Sequence, residues 1–189
     1  MKKILLSIFI ISAILLSGCK SLSREGSLLT QAKNQEEAGN YYGAVVNVVE
    51  SIKIDNEYED AIRFLIDVYP RSIDKYSAQV DNLKSTGGSN DEIVKYYTYL
   101  KTINDSVRGL PPLINPDTKM TAEFAYRDYS KELNAANELA AEDHYQAGLR
   151  LLKMSGRENA KTAAEEFEET LAYSPGYKDA EALKQKAIE

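Results

Sequence analysis

Apolar residues along this chain recur every three or four positions, the spacing of a helix face rather than a strand. Tyr41, Ala44, Val45, Val48 and Ile52 share one face, then Ala61, Leu65 and Val68, then Ile73, Tyr76, Val80 and Leu83. The polar stretch "STGGSN" stops the run, and Ser89 with Glu92 three residues later makes a capping box for a new helix. That helix carries Ile93, Tyr96, Tyr97, Leu100, Ile103 and Val107. "GLPPLINP", Gly109 to Pro116, cannot continue it, because its prolines lack the amide hydrogen and fix their own backbone angle. From about Thr118 the period resumes through Ala122, Tyr126, Tyr129, Leu133, Ala136, Ala140, His144, Ala147 and Leu151. This predicts one long helix over 118–154, about 50 Å if unbroken, with "NAAN" at Asn134 to Asn137 as the place for a break. Beyond the turn "SGREN", Ala160, Ala163, Ala164, Phe167 and Leu171 form the next face; "SPG" ends it, and Ala180, Leu183 and Ala187 form the last. No segment alternates with period two over a useful length. The expectation is an all-α body of about eight helices.

Two stretches share a grammar: "GNYYGAVVNVVESIKIDNEYEDAIRFL", Gly39 to Leu65, and "ENAKTAAEEFEETLAYSPGYKDAEALK", Glu158 to Lys184. Each has a helix rich in small residues, a short turn, and then Tyr-x-Asp-Ala opening another helix, at Tyr58 to Ala61 and Tyr177 to Ala180. Small residues let helices approach closely, and a larger residue one turn on fills the hole. The pattern resembles the tetratricopeptide repeat, a pair of antiparallel helices. Gly39, Tyr41 and Ala44 match that family's positions in the first copy, with Val48 where an aromatic is usual and Asn56 where proline is usual. Ala163, Phe167, Leu171 and Pro175 match the second copy. Gly148 and Leu151 stand for its first-helix small residue and partner, across a turn about three residues longer than the family's. The resemblance implies stacked helical hairpins over roughly half the chain, packed through Gly39, Tyr41, Ala44, Ala61, Gly148, Ala163, Phe167, Pro175 and Ala180. Ile66 to Asn134 lies off that pattern.

The first residues carry a different signal. Met1-Lys2-Lys3 precedes an apolar run from Ile4 to Leu16, broken only by serines and an alanine, and small residues follow. That is the layout of a secretory signal, and it is short of the about 20 residues of a membrane span. Leu16-Ser17-Gly18-Cys19 resembles the bacterial lipobox, in which the cysteine becomes the acylated first residue of a mature lipoprotein. The resemblance implies removal of residues 1–18 and an anchor in the lipid bilayer through Cys19, the sole cysteine. Such a thioether leaves no free thiol or internal disulfide, and each buried methylene of its chains contributes about 0.8 kcal/mol. Lys20 to Gly26 reads as a polar tether reaching at most about 23 Å, and 27–189 as the helical domain. Lys20 after the cysteine leans towards the outer membrane, facing the periplasm. Losing Lys2 and Lys3 takes the net charge from −6 to −8, which argues against nucleic acid and against a polybasic hold on anionic lipid.

Catalytic patterns are missing from the sequence. His144, the single histidine, lies on the small-apolar stripe and reads as a packing residue; Glu138 and Glu142 flank it without a metalloenzyme spacing. No Gly-x-Ser-x-Gly elbow occurs, "GGSN" is a turn, and "EEFEET" and "NEYED" lack the spacing of a calcium loop. The reading is therefore not an enzyme, with no cofactor and no metal. Thirteen tyrosines and no tryptophan are more suggestive. Tyr96, Tyr97, Tyr99, Tyr126 and Tyr129 flank the proline-rich loop, and tyrosine suits binding surfaces; the other account has them filling holes opposite alanines. The expectation is an envelope lipoprotein that binds an envelope protein or peptide. The alternative is cell-wall binding or processing, with the tyrosines stacking on sugars and Glu123, Asp128 or Glu132 supplying carboxylates.

Overall fold

The computed structural model describes residues 23–154 and 156–188. The signal-like run and Cys19 lie outside them. The described residues hold seven helices: α1 (Arg24–Glu37), α2 (Tyr41–Ile54), α3 (Glu59–Thr86), α4 (Asn90–Arg108), α5 (Ser130–Lys153), α6 (Arg157–Tyr173) and α7 (Ala180–Ile188). The one β feature among them is an isolated antiparallel bridge, Ile114 to Thr121. The fold is all-α. No helix of the described residues is long and apolar enough to cross a membrane.

Local chemistry explains most of the boundaries. The segment expected as a tether is helical from Arg24, because the Ser23 hydroxyl accepts from the Gly26 N–H at 3.3 Å and caps α1. At the other end of α1, Gly39 takes φ 78°. Its N–H reaches the Glu36 carbonyl and the Asn40 N–H reaches Gln35, both at 2.8 Å. This double closure is a Schellman motif, which needs the left-handed conformation glycine tolerates. Asn40 then caps α2, its side chain accepting from the Gly43 N–H at 3.1 Å. The Ser89 hydroxyl caps α4 through the Asp91 N–H at 3.1 Å. Pro70 lies inside α3, where it removes one helical hydrogen bond; the nearby Ser72 hydroxyl, fully buried, donates to the Tyr69 carbonyl at 2.6 Å.

The long helix expected over 118–154 starts only at Ser130, and it then runs unbroken through "NAAN". Residues 110–129 are irregular because tertiary partners take the backbone groups a helix would have paired. The Ala122 N–H donates to the Leu113 carbonyl and the Asn115 N–H to Met120, both at 2.8 Å. The Tyr69 hydroxyl takes the Ala125 carbonyl at 2.8 Å, and Asn104 takes the Arg127 N–H at 3.1 Å. Helical spacing of side chains does not outweigh so many fixed backbone partners.

The described chain divides into two compact units. The first holds the residues up to Ser72 together with Ser106–Ala125. Its core is Leu29 and Ala32 of α1, the Val45, Val48, Val49 and Ile52 face of α2, and Ala61, Leu65 and Val68 of α3. Phe124 packs edge-on against Tyr69, ring centres 5.4 Å apart. The second unit holds Ile73–Asp105 and the residues from Tyr126. There Tyr145, Ala163, Phe167 and Ala180 form one cluster, joined by Leu149, Leu171 and Leu183.

The two repeat stretches share three backbone hydrogen bonds where each helix turns into the next. The Asp55 N–H donates to the Ser51 carbonyl, Tyr58 to Asp55 and Ala61 to Tyr58. At one constant spacing along the chain, Ser174 donates to Thr170, Tyr177 to Ser174 and Ala180 to Tyr177. Ala44, Val48, Ser51 and Ala61 are fully buried, and so are Ala163, Phe167, Thr170 and Ala180. Both hairpins use three-residue connections, 38–40 and 154–156. The three residues expected as a longer turn are instead helical, Arg157 to Asn159 at the start of α6.

Candidate functional site

The expected tyrosines separate into three environments within the second unit. Tyr97 and Tyr129 are buried, 7% and 3% exposed, with ring centres 6.2 Å apart. Both are largely buried, and Tyr97 meets solvent where it lines a groove. The Lys84 ammonium donates to the Tyr97 hydroxyl at 2.7 Å, and the Arg127 guanidinium lies 4.8 Å from the Tyr129 ring centre. Tyr96 and Tyr99 are half-buried around Tyr76, with ring centres 5.7 and 5.2 Å from it. Lys95 covers both, 5.7 and 5.9 Å from the two rings. Tyr126 is exposed.

Beside Tyr97 runs a groove of about 490 Å³. Leu83 and Gly88 at the end of α3, Ile93 and Tyr97 of α4, and Ala136 and Leu139 of α5 line it; Lys84, Glu132 and Asp143 stand among them. Leu139 is 56% exposed. The walls are apolar with charge at the edge, the usual make-up of a site for part of a ligand. The sequence reading missed this groove because its lining comes from three helices, none of which shows an apolar excess by itself.

The proline-rich loop belongs to the first unit. Asn115 organises it: its side-chain oxygen accepts from the Asp117 and Thr118 N–H groups at 2.9 and 3.3 Å. Lys119 takes φ 58°, a left-handed turn position. Leu113 is buried, whereas Ile114 and Met120 are 52% and 67% exposed. Arg63 clasps the loop through Asp117 at 2.8 Å, and that carboxylate raises the guanidinium's pKa.

The carboxylates of the cell-wall alternative have different surroundings. Glu132 accepts from Arg127 at 2.5 Å, which lowers its pKa, the wrong direction for a general acid. Asp128 accepts the Ser130 N–H at 2.9 Å, and Glu123 is exposed. No group of three or more His, Cys, Asp or Glu among the described residues is arranged to hold a metal ion.

The repeat-packing positions are placed as follows. Tyr41 is half-buried with Arg71 5.9 Å from its ring centre. Gly148 faces Phe167 so closely that a Cβ there would lie 2.7 Å from the ring. Pro175 is exposed in the turn after α6. Around that turn the Tyr145 hydroxyl donates to Asp179 at 2.6 Å, and Glu142 accepts from the Tyr177 hydroxyl at 2.5 Å and from Lys178. Lys178, Tyr177 and Gln146 together lower the Glu142 pKa to about 2. Glu138 accepts from the Ser174 hydroxyl at 2.9 Å. His144 is half-buried between Asp91 of α4 and Glu166 of α6.

No family model, curated protein or solved structure matches the chain.

Proposed function

We propose that the chain is a lipid-anchored, periplasm-facing scaffold of the bacterial cell envelope, whose hairpins stack in the tetratricopeptide manner and which holds a protein or peptide segment. The observation that carries this reading is the recurrence of one buried pattern and one helix-to-helix turn in two hairpins, since repeated hairpins offer extended surfaces for partners. The groove beside Tyr97, with Leu139 at its edge, supplies an apolar seat for a partner side chain. The anchor rests on the sequence alone: the apolar run from Ile4 to Leu16 and the lipobox-like Leu16-Ser17-Gly18-Cys19 that follows it. An outer-membrane location follows from Lys20 in the same way.

The test uses the full chain in the bacterium that encodes it, with a photo-crosslinking residue at Leu139. The reading expects one dominant crosslinked protein, lost when Ala135→Lys fills the groove and kept with Lys161→Ala on α6. Crosslinking to nothing in the envelope defeats the scaffold reading; recovery of muropeptides instead moves the function to the cell wall. Cys19→Ser tests the anchor separately, and is expected to move the chain from the membrane fraction to the soluble one.

A further inference from the structure

His144 was expected as a packing residue, yet both of its ring nitrogens face carboxylates. Nδ1 lies 2.7 Å from a Glu166 oxygen on α6, and Nε2 lies 3.1 Å from an Asp91 oxygen in the first turn of α4. A neutral imidazole has one N–H and one lone pair, so it satisfies one carboxylate and turns its lone pair on the other. Only the imidazolium donates to both. The ring is sheltered, its side chain 21% exposed, and it stacks on Tyr173 of α6 with ring centres 5.6 Å apart.

We propose that His144 is an imidazolium clamp that makes the docking of the α4 N-terminus on α5 and α6 dependent on pH. The side chains that meet the ring are acidic or neutral. From α4 comes Asp91; from α6 come Glu166 and the Tyr173 phenol, which hydrogen-bonds to Asp91 and, pushed up to about 12 first by burial and then by that bond, stays neutral. From α5 itself comes the neighbouring Asp143, which accepts from the Asn90 side chain at 2.7 Å. Burial alone lowers the His144 pKa, but the hydrogen bonds to Glu166 and Asp91 outweigh it and raise the value above the ordinary 6.5. A raised value in the folded state means that the clamp's stabilisation is complete below the unfolded value and is lost as pH rises through the folded one. Above it, the neutral ring donates to only one of its two carboxylates, and the first turn of α4 is left with the Asn90–Asp143 and Tyr173–Asp91 bonds as its other links. This inference does not depend on what the neighbouring groove binds.

Because His144 is the single histidine, ¹³C,¹⁵N-histidine labelling of the full chain in detergent micelles gives one set of ring signals. The expected result is a titration midpoint above 6.5, with a doubly protonated ring below it, and a midpoint that falls in Asp91→Asn and in Glu166→Gln. Amide exchange at residues 91–94, corrected for its intrinsic pH dependence, should accelerate severalfold above that midpoint in the wild type and lose this step in His144→Gln. A midpoint at or below 6.5, or exchange in α4 that ignores the titration, overturns the proposal. The wild-type titration decides even if a variant fails to fold.

Discussion

The α1–α2 and α5–α6 hairpins bury the same positions with different volumes. The second helix of each hairpin carries Ala44, Val48 and Ser51 in one case, and Ala163, Phe167 and Thr170 in the other, all fully buried. On the facing helix, Ala32 and Gly148 sit the same number of residues before the connection. Ala32 keeps its methyl where its hairpin carries Val48; Gly148 has none, because Phe167 fills the place where a Cβ would sit. The repeat is thus a repeat of placement, with the larger Phe167 accommodated by the missing Cβ of Gly148.

That fit is open to a direct test, and it carries the largest expected effect. Phe167→Ala should cost about 3–5 kcal/mol in urea denaturation, against about 2 kcal/mol for Val48→Ala. Gly148→Ala should cost about 1–3 kcal/mol by overpacking. Combining it with Phe167→Val removes the atoms that the new methyl meets, so the double variant should be more stable than the sum of the singles allows. Additive costs would mean that Gly148 and Phe167 do not share one space.

The connections differ more than the cores. Gly39 closes α1 at φ 78°, ordinary left-handed backbone, whereas Gly156 opens α6 at φ 123° and ψ 145° with no side-chain cap. The latter lies towards a region that is essentially glycine's alone. Gly156→Ala should therefore cost about 1–3 kcal/mol, and Gly39→Ala about 1 kcal/mol. Gly39→Asn should be milder still, since asparagine tolerates the left-handed region. Equal melting temperatures for Gly39→Ala and Gly156→Ala would show that the second connection relaxes freely.

A smaller contrast lies one turn after Val48 and Phe167. The Ser51 hydroxyl donates across the hairpin to the Glu25 carbonyl at 2.8 Å, while the Thr170 hydroxyl returns to its own helix at Glu166, 2.9 Å away. Ser51→Ala strips a carbonyl at the start of α1 of a partner and should cost about 1–2 kcal/mol. Thr170→Ser keeps the only hydrogen bond its hydroxyl makes and should cost less. Protection of the first turn of α1 against amide exchange should drop in the former variant alone.

These contrasts also mark how far the sequence could be read. Period and small–large spacing located α2, α6 and the shared Tyr-x-Asp-Ala turn, because these are written in consecutive residues. They misplaced 118–129, where the stripe Ala122, Tyr126, Tyr129 is helical in spacing but the backbone is held from outside. Buried Asn104 is the clearest case: it donates to the Leu100 carbonyl at 2.8 Å and accepts the Arg127 N–H, a partnership between residues that no local pattern links. Tyr97 and Tyr129 read as surface candidates for the same reason, since burial depends on what a distant segment covers. The groove and the His144 clamp each draw on three helices, so neither leaves a mark in any one of them.

The smallest expected effect concerns the turn that the two hairpins share. In the first copy Glu59 and Asp60 follow Tyr58 and pair with Arg63 within the same helix. In the second, Lys178 and Asp179 follow Tyr177 and reach back to Glu142 and Tyr145 on α5. The second turn is therefore braced across elements by a carboxylate whose pKa is lowered to about 2. A depressed folded value means stabilisation that is present above the unfolded value near 4.5 and lost as pH falls towards 2. Glu142→Gln should lower the melting temperature slightly at pH 7, and the gap from wild type should close between pH 4.5 and 2. The pair Arg63 and Glu59 gives the control: Glu59→Gln leaves Arg63 its Asp60 and Asp117 partners and should show a smaller gap at pH 7. If that gap equals the one for Glu142→Gln, the cross-helix brace adds nothing to what a solvated pair within one helix supplies.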